Sequence, residues 1–197
     1  MSEVAGVRGA EAPRTPQDIC AEFELSEAAA ALLKPGQTPE EFFDALLGAS
    51  LFGDGIAFIA RLLPKKQAVW WGCLCVWGAE RHASKAPVEA ALGAIVRWLR
   101  EPTEENRRAV GDAAREAGPT SAAGMLASAA FLSEGSMSLP GQPEVLPKPH
   151  YTGKLVAAAV LAASRKGGAA RIPARQREFL ALAVEVYRGA NTWEKKS

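Results

Sequence analysis

The sequence predicts an all-α fold, one bundle of about eight to nine helices around a central tryptophan-rich helix, with a proline-rich loop on its surface. Three observations carry that prediction. Helix start and stop residues punctuate the chain at short intervals, as at Thr38-Pro39 and Gly118-Pro119. Stretches that alternate apolar and polar residues with β-branched enrichment are scarce. Apolar residues recur instead at helical spacing, most densely in "QAVWWGCLCVWG" (67–78), which holds three tryptophans, two cysteines and no charge.

A chain of 197 residues is long enough for one domain with its own core. Hydrophobic residues make up 48% and charged residues 23%, ordinary globular usage that argues against wholesale disorder. The formal net charge of +1 supplies no global attraction to nucleic acid or acidic lipid. There are three cysteines, and Cys73 and Cys75 stand too close to bridge, so a reducing, cytoplasmic setting is expected rather than a disulfide scaffold. The opening "MSEVAGVRGAEAPRTP" has glycine, proline and charges but no apolar h-region, so residues 1–16 are read as a disordered tail and not a secretory signal. The longest charge-free apolar run falls short of the roughly 20 residues that a membrane-spanning helix needs. The helical domain is expected over residues 17–190, followed by a short polar tail at 191–197.

Each element has a local reason. A first helical region runs from Pro16 to Leu33 and stops where Pro35 and Gly36 break it. In "TPEEFFDALL" Thr38 is a natural N-cap, Pro39 fits the first helical position, and Glu41 can close a capping box. Ile56, Ile59 and Leu63 have helical spacing, so Asp54 in "GDG" is read as an N-cap. Pro64 opens the tryptophan helix, which extends to about His82. After "SKAP", Val88, Leu92, Ile95 and Leu99 share one face. A polar helix starts at Thr103, with Glu104 and Glu105 near the positive end of its dipole and Gly118-Pro119 closing it. The small residues of "SAAGMLASAAFL" let that helix approach a neighbour closely. Residues 133–150 carry Pro140, Pro143, Pro147 and Pro149, which favour an extended path over the surface. Two helices follow, the second with Phe179, Leu182, Ala183 and Val186 on one stripe.

On a wheel at about 100° per residue, Trp70, Leu74 and Trp77 form one stripe of the tryptophan helix. Ala68, Gly72, Cys75 and Ala79 form another nearly opposite. The large stripe is expected in the core and the small one against a close neighbour, with Trp71 between them, partly covered and free for partner contact.

Chemistry is sparse. Cys73 and Cys75 point about 200° apart on a helix, and His82 lies roughly 10 Å along the axis from Cys75, so no metal site is expected. Glu40-Glu41 and Glu104-Glu105 occupy first helical turns, where the dipole explains them. No phosphate-binding loop or dinucleotide fingerprint is present, and no cofactor or catalytic residue is expected. The run "RKGGAARIPARQR" (165–177) is basic but lacks interleaved aromatics, which disfavours nucleic acid as a partner.

"LLPKKQAVWWG", "PTEENRRAV", "AAFLSEGSMSLPG" and the Ala-rich helix after "PHYT" together resemble an uncharacterised bacterial family with a Leu-Pro-x-basic-x-Ala-Val-Trp-Trp segment. Some of its members are encoded near type VI secretion genes. The resemblance covers about residues 20–190. Lys66 stands where an arginine is expected, and lysine cannot repeat a bidentate guanidinium contact. The resemblance implies a bacterial, intracellular context and no particular activity.

The expected function is a non-enzymatic protein-interaction module, an adaptor or accessory protein of a bacterial secretion system. It would bind another protein, a secretion effector or component, through Pro140, Pro143, Pro147 and Pro149 and an adjacent surface of Lys65, Lys66 and Trp71. The alternative is a small-molecule-binding protein or enzyme with a pocket beside Trp70 and Trp77.

Overall fold

The computed structural model describes residues 14–82 and 85–193. Most of the tail expected at 1–16, and the end of the one expected at 191–197, lie outside the described residues. Among the described residues there are ten α-helices and no strand. The first two are single turns, α1 (Pro16–Cys20) and α2 (Glu27–Ala30). The other eight are α3 (Pro39–Gly48), α4 (Phe52–Leu62), α5 (Lys65–Glu80), α6 (Ala86–Arg100), α7 (Glu104–Ala117), α8 (Ala122–Phe131), α9 (Tyr151–Ser164) and α10 (Ile172–Tyr187).

The caps follow the sequence closely. Thr38 accepts from the Glu41 N–H while the Glu41 carboxylate accepts from the Thr38 N–H at 2.9 Å, so the expected capping box forms. At α7 the Thr103 hydroxyl accepts from the Asn106 N–H, and at α8 the Ser121 hydroxyl accepts from the Gly124 N–H, without a reciprocal bond. Gly118 closes α7 at φ 89°, a left-handed conformation that an L side chain would strain.

Two expectations are corrected. The region Pro16–Leu33 is two short helices, because Ser26 starts a new cap after the connecting residues 21–25. Asp54 lies inside the first turn of α4, whose N-cap is Leu51. Its carboxylate accepts from the N–H and hydroxyl of Ser26, both at 2.9 Å, and so pins α2 to α4.

Helix α5 is the hub, packed against α4, α6, α8, α9 and α10. Gly72 lets α8 come close: a Cβ there would overlap Leu126 of that helix. Helices α8 and α9, rich in alanine, pair along their lengths, with Ala123, Ala127, Ala130, Ala159 and Ala163 all buried. Phe42 and Phe58 meet edge to face with ring centroids 5.1 Å apart where α3 joins α4.

Candidate functional site

The proline-rich segment joins α8 to α9. Its stem is held by cations from two other helices. From α5, Lys65 Nζ donates to the Ser133 carbonyl at 3.0 Å and Lys66 pairs with Glu134 at 3.4 Å. From α7, Arg107 donates to the carbonyls of Phe131 at 2.8 Å and Ser136 at 2.9 Å, and Arg108 donates to Ser136 at 3.2 Å. Gly135 lies against Arg107 at φ 71°, where a Cβ would come within 2.8 Å of its Nε. Within the loop the Met137 N–H donates to the Val145 carbonyl at 2.8 Å, and the Val145 N–H donates to Ser136 Oγ at 3.0 Å. These bonds close the loop into a narrow hairpin-like projection.

Beyond that neck the side chains face solvent. Leu139 is 73% and Leu146 63% exposed, and Met137 and Val145 are exposed beside them. Pro140, Pro143 and Pro149 are exposed and Pro147 half-buried. The tip therefore covers no core. A large apolar side chain left in water forgoes most of the 1.5–3 kcal/mol that burial would return, roughly, and here such side chains lie on one projection.

Arg107 is the residue that sequence reasoning missed. It is a buried cation whose Nε and Nη2 both meet Glu104, at 2.6 and 2.7 Å, and whose guanidinium stacks 4.5 Å from the Phe131 ring centroid. Hydrogen bonds from Arg107, with help from Arg108, hold the Glu104 carboxyl at about 2, well below its ordinary 4.5. The spacing Glu104, Arg107, Arg108 was the available signal, since these positions share a helix face.

The order of the tryptophans on α5 is a correction. Trp71 is 0% exposed and donates its indole N–H to the Phe179 carbonyl of α10 at 2.7 Å, so it is interior and not a surface contact. Trp77 is 47% exposed and Trp70 half-buried, so the large stripe is not core. Both line a groove of about 530 Å³ between α5 and α6, with Leu74, Leu92, Gly93 and Val96. Trp70 also donates to Asn191 Oδ1 at 3.3 Å, which fastens the chain after α10 to this face.

Burial pushes the Cys20 thiol up to about 11 and the Cys73 thiol up to about 12, and it raises Cys75 well above its ordinary value. These thiols pack as small hydrophobes. In the basic run, Arg175 donates to the Lys166 carbonyl at 2.6 Å, Lys166 pairs with Glu80 at 3.1 Å, and Arg177 lies 5.2 Å over the Phe52 ring. Much of its charge is therefore used within the fold.

A model for a family of unknown function, DUF6931, matches residues 42–187. The chain belongs to this family. No curated protein and no solved structure matches it. The DUF6931 span runs from α3 to the last residue of α10, so it takes in the tryptophan helix, the whole α8–α9 loop and both sets of stem cations. Among the described residues no helix is long and apolar enough to cross a membrane.

Proposed function

We propose that this protein is a non-enzymatic interaction module that presents the α8–α9 loop to a protein partner. The observation that carries the reading is the combination of a clamped stem with the exposed Met137, Leu139, Val145 and Leu146 beyond it. Partner recognition concentrates in a few apolar anchors that fill pockets, and anchors on a pre-ordered loop lose little conformational freedom on binding. Pro140, Pro143 and Pro147 stiffen the projection further. The role of an adaptor or accessory protein in a bacterial secretion system rests on the family resemblance alone, and a cytoplasmic setting rests on that resemblance together with the cysteine usage. Lys65 and Lys66 enter as stem clamps rather than as contacts, and Trp71 has no direct part.

The test is a Leu139→Ser/Leu146→Ser double variant, compared with the unaltered chain in affinity capture from the native host. The reading expects specific proteins to be lost from the variant while thermal melting stays cooperative at the same midpoint. Equal capture by both chains would sink it.

A second reading has an observation of its own. The groove of about 530 Å³ beside Trp70 and Trp77 has the size and apolar lining of a small-molecule site. Saturable quenching of tryptophan fluorescence by a metabolite, abolished in Trp77→Ala, would favour it over the loop.

A further inference from the structure

A second cleft lies at the loop's exit, where α4 meets the start of α9. Its volume is about 460 Å³, and its walls include Arg14, Glu22, Arg61, Lys65, His150 and Gly153. Three cationic side chains and one carboxylate therefore line it. Arg14 Nη2 takes one Glu22 oxygen at 2.6 Å, while the other oxygen is 3.8 Å from Arg61 Nε, beyond hydrogen-bond reach.

Arg61 is the unusual member. Its side chain is 5% exposed, Nη1 donates to the Ala57 carbonyl at 2.7 Å, and the buried Nε has no hydrogen-bond partner. A guanidinium cannot escape burial by losing its proton, so an incompletely paired one calls for an anion. The adjoining helix end supplies a matching field. Helix α9 has 14 residues, no acid in its first turn and no side-chain bond from its N-cap His150; the Tyr151 N–H takes the Lys148 carbonyl at 3.0 Å, which leaves the Thr152 and Gly153 N–H groups to carry the positive end of its dipole. A Cβ at Gly153 would lie 2.8 Å from Arg61 Cγ and 3.0 Å from the Ala60 carbonyl. The glycine thus brings the first turn of α9 directly against Arg61, and both face the same cleft.

We infer that this cleft binds the dianionic phosphate of a small phosphate monoester. Its three cations and one carboxylate leave the lining an excess of two positive charges, which a phosphate dianion matches and a carboxylate does not. The Thr152 and Gly153 N–H groups and the Arg61 guanidinium grip the oxyanion. Leu63, Pro64 and Pro149 give the rest of the cleft an apolar wall for the organic part, more room than inorganic phosphate fills. The site is independent of the loop tip: none of its lining residues is Leu139 or Leu146.

The test follows amide NMR resonances of the isotope-labelled full chain at constant ionic strength, titrated in separate arms with phenyl phosphate, inorganic phosphate and benzoate. The inference expects saturable shifts centred on Thr152 and Gly153. Phenyl phosphate should bind at least about tenfold tighter than either other anion, and Arg14→Gln and Arg61→Lys should each weaken it about tenfold, the scale of one charged hydrogen bond. Because the shifts are read on the unaltered chain, a misfolded Arg61 variant leaves the result intact. Equal binding of inorganic phosphate overturns the monoester, equal binding of benzoate overturns phosphate chemistry, and absence of saturable shifts at millimolar phenyl phosphate overturns the site.

Discussion

Trp71→Phe and Trp77→Phe form a matched pair six positions apart on α5, and the structure ranks them sharply. Trp71 is 0% exposed, and its indole bonds the Phe179 carbonyl at 2.7 Å. Phenylalanine there leaves a void where the second ring was, at a cost of about 1–2 kcal/mol on a scale where full truncation to alanine costs 3–5. The lost hydrogen bond adds about 1 kcal/mol; the carbonyl belongs to α10 and keeps its helical partner, so no larger penalty applies. The total is about 2–3 kcal/mol. Trp77 is 47% exposed over the α5–α6 groove, and the same change removes ring area that is half in water already. Its cost should stay below about 1 kcal/mol. Urea unfolding followed by far-ultraviolet circular dichroism measures both without depending on the number of tryptophans. Equal losses, or a larger loss at Trp77, would refute the packing described for α5.

Three further outcomes follow from the same contacts. Gly72→Ala should cost about 1–3 kcal/mol by forcing Leu126 aside, with part recovered by adding Leu126→Val, whereas Gly78→Ala has open space and should be neutral or slightly stabilising in the same urea assay. Native Cys73, with its thiol held near 12 by burial, should react with a thiol reagent only as fast as the chain opens, so labelling should accelerate with sub-denaturing urea. The Glu104 carboxyl is depressed from 4.5 to about 2, so its contribution is complete above the higher value and lost as pH falls toward the lower. Because that carboxylate is largely exposed, the loss should be no more than about 1 kcal/mol, seen as a steeper acid decline of the urea midpoint in the unaltered chain than in Glu104→Gln.

Helix boundaries were legible wherever they are decided locally. Thr38, Pro39 and Glu41 carry their own instructions, and the capping box forms as the residues imply. Residues 16–33 failed for the opposite reason. Nothing within "AEFELS" forbids a helix; the break is stabilised by partners distant in sequence, with Asp54 on Ser26 and the Arg61 guanidinium 4.6 Å over the Phe23 ring. Arg61 was equally illegible, because a lone arginine in an apolar helix gains its meaning only when α9 closes against it at Gly153.

The tryptophan helix shows which half of a wheel argument is sound. The two stripes are where periodicity puts them, and Gly72 does meet a close neighbour. The step from large side chains to interior position failed, because α5 is surrounded on its small side by α8 and α9 while α6 stands off to leave the groove. A hub helix is inside where it can be approached most closely, and small residues allow the closest approach. The loop obeys a related logic. Its prolines announced an extended path, but the order in its stem comes from Arg107, buried on α7, which no local feature of 133–150 reveals. Removing that clamp by Arg107→Met, of similar length and without charge, should leave the bundle folded but loosen the stem at Ser136. The loop would then have to be ordered on binding, at about 1–2 kcal/mol per residue fixed, and partner capture should weaken although Leu139 and Leu146 are untouched. Undiminished capture by that variant, with hydrogen exchange showing a mobile loop, would mean that pre-ordering contributes nothing and that the exposed leucines act alone.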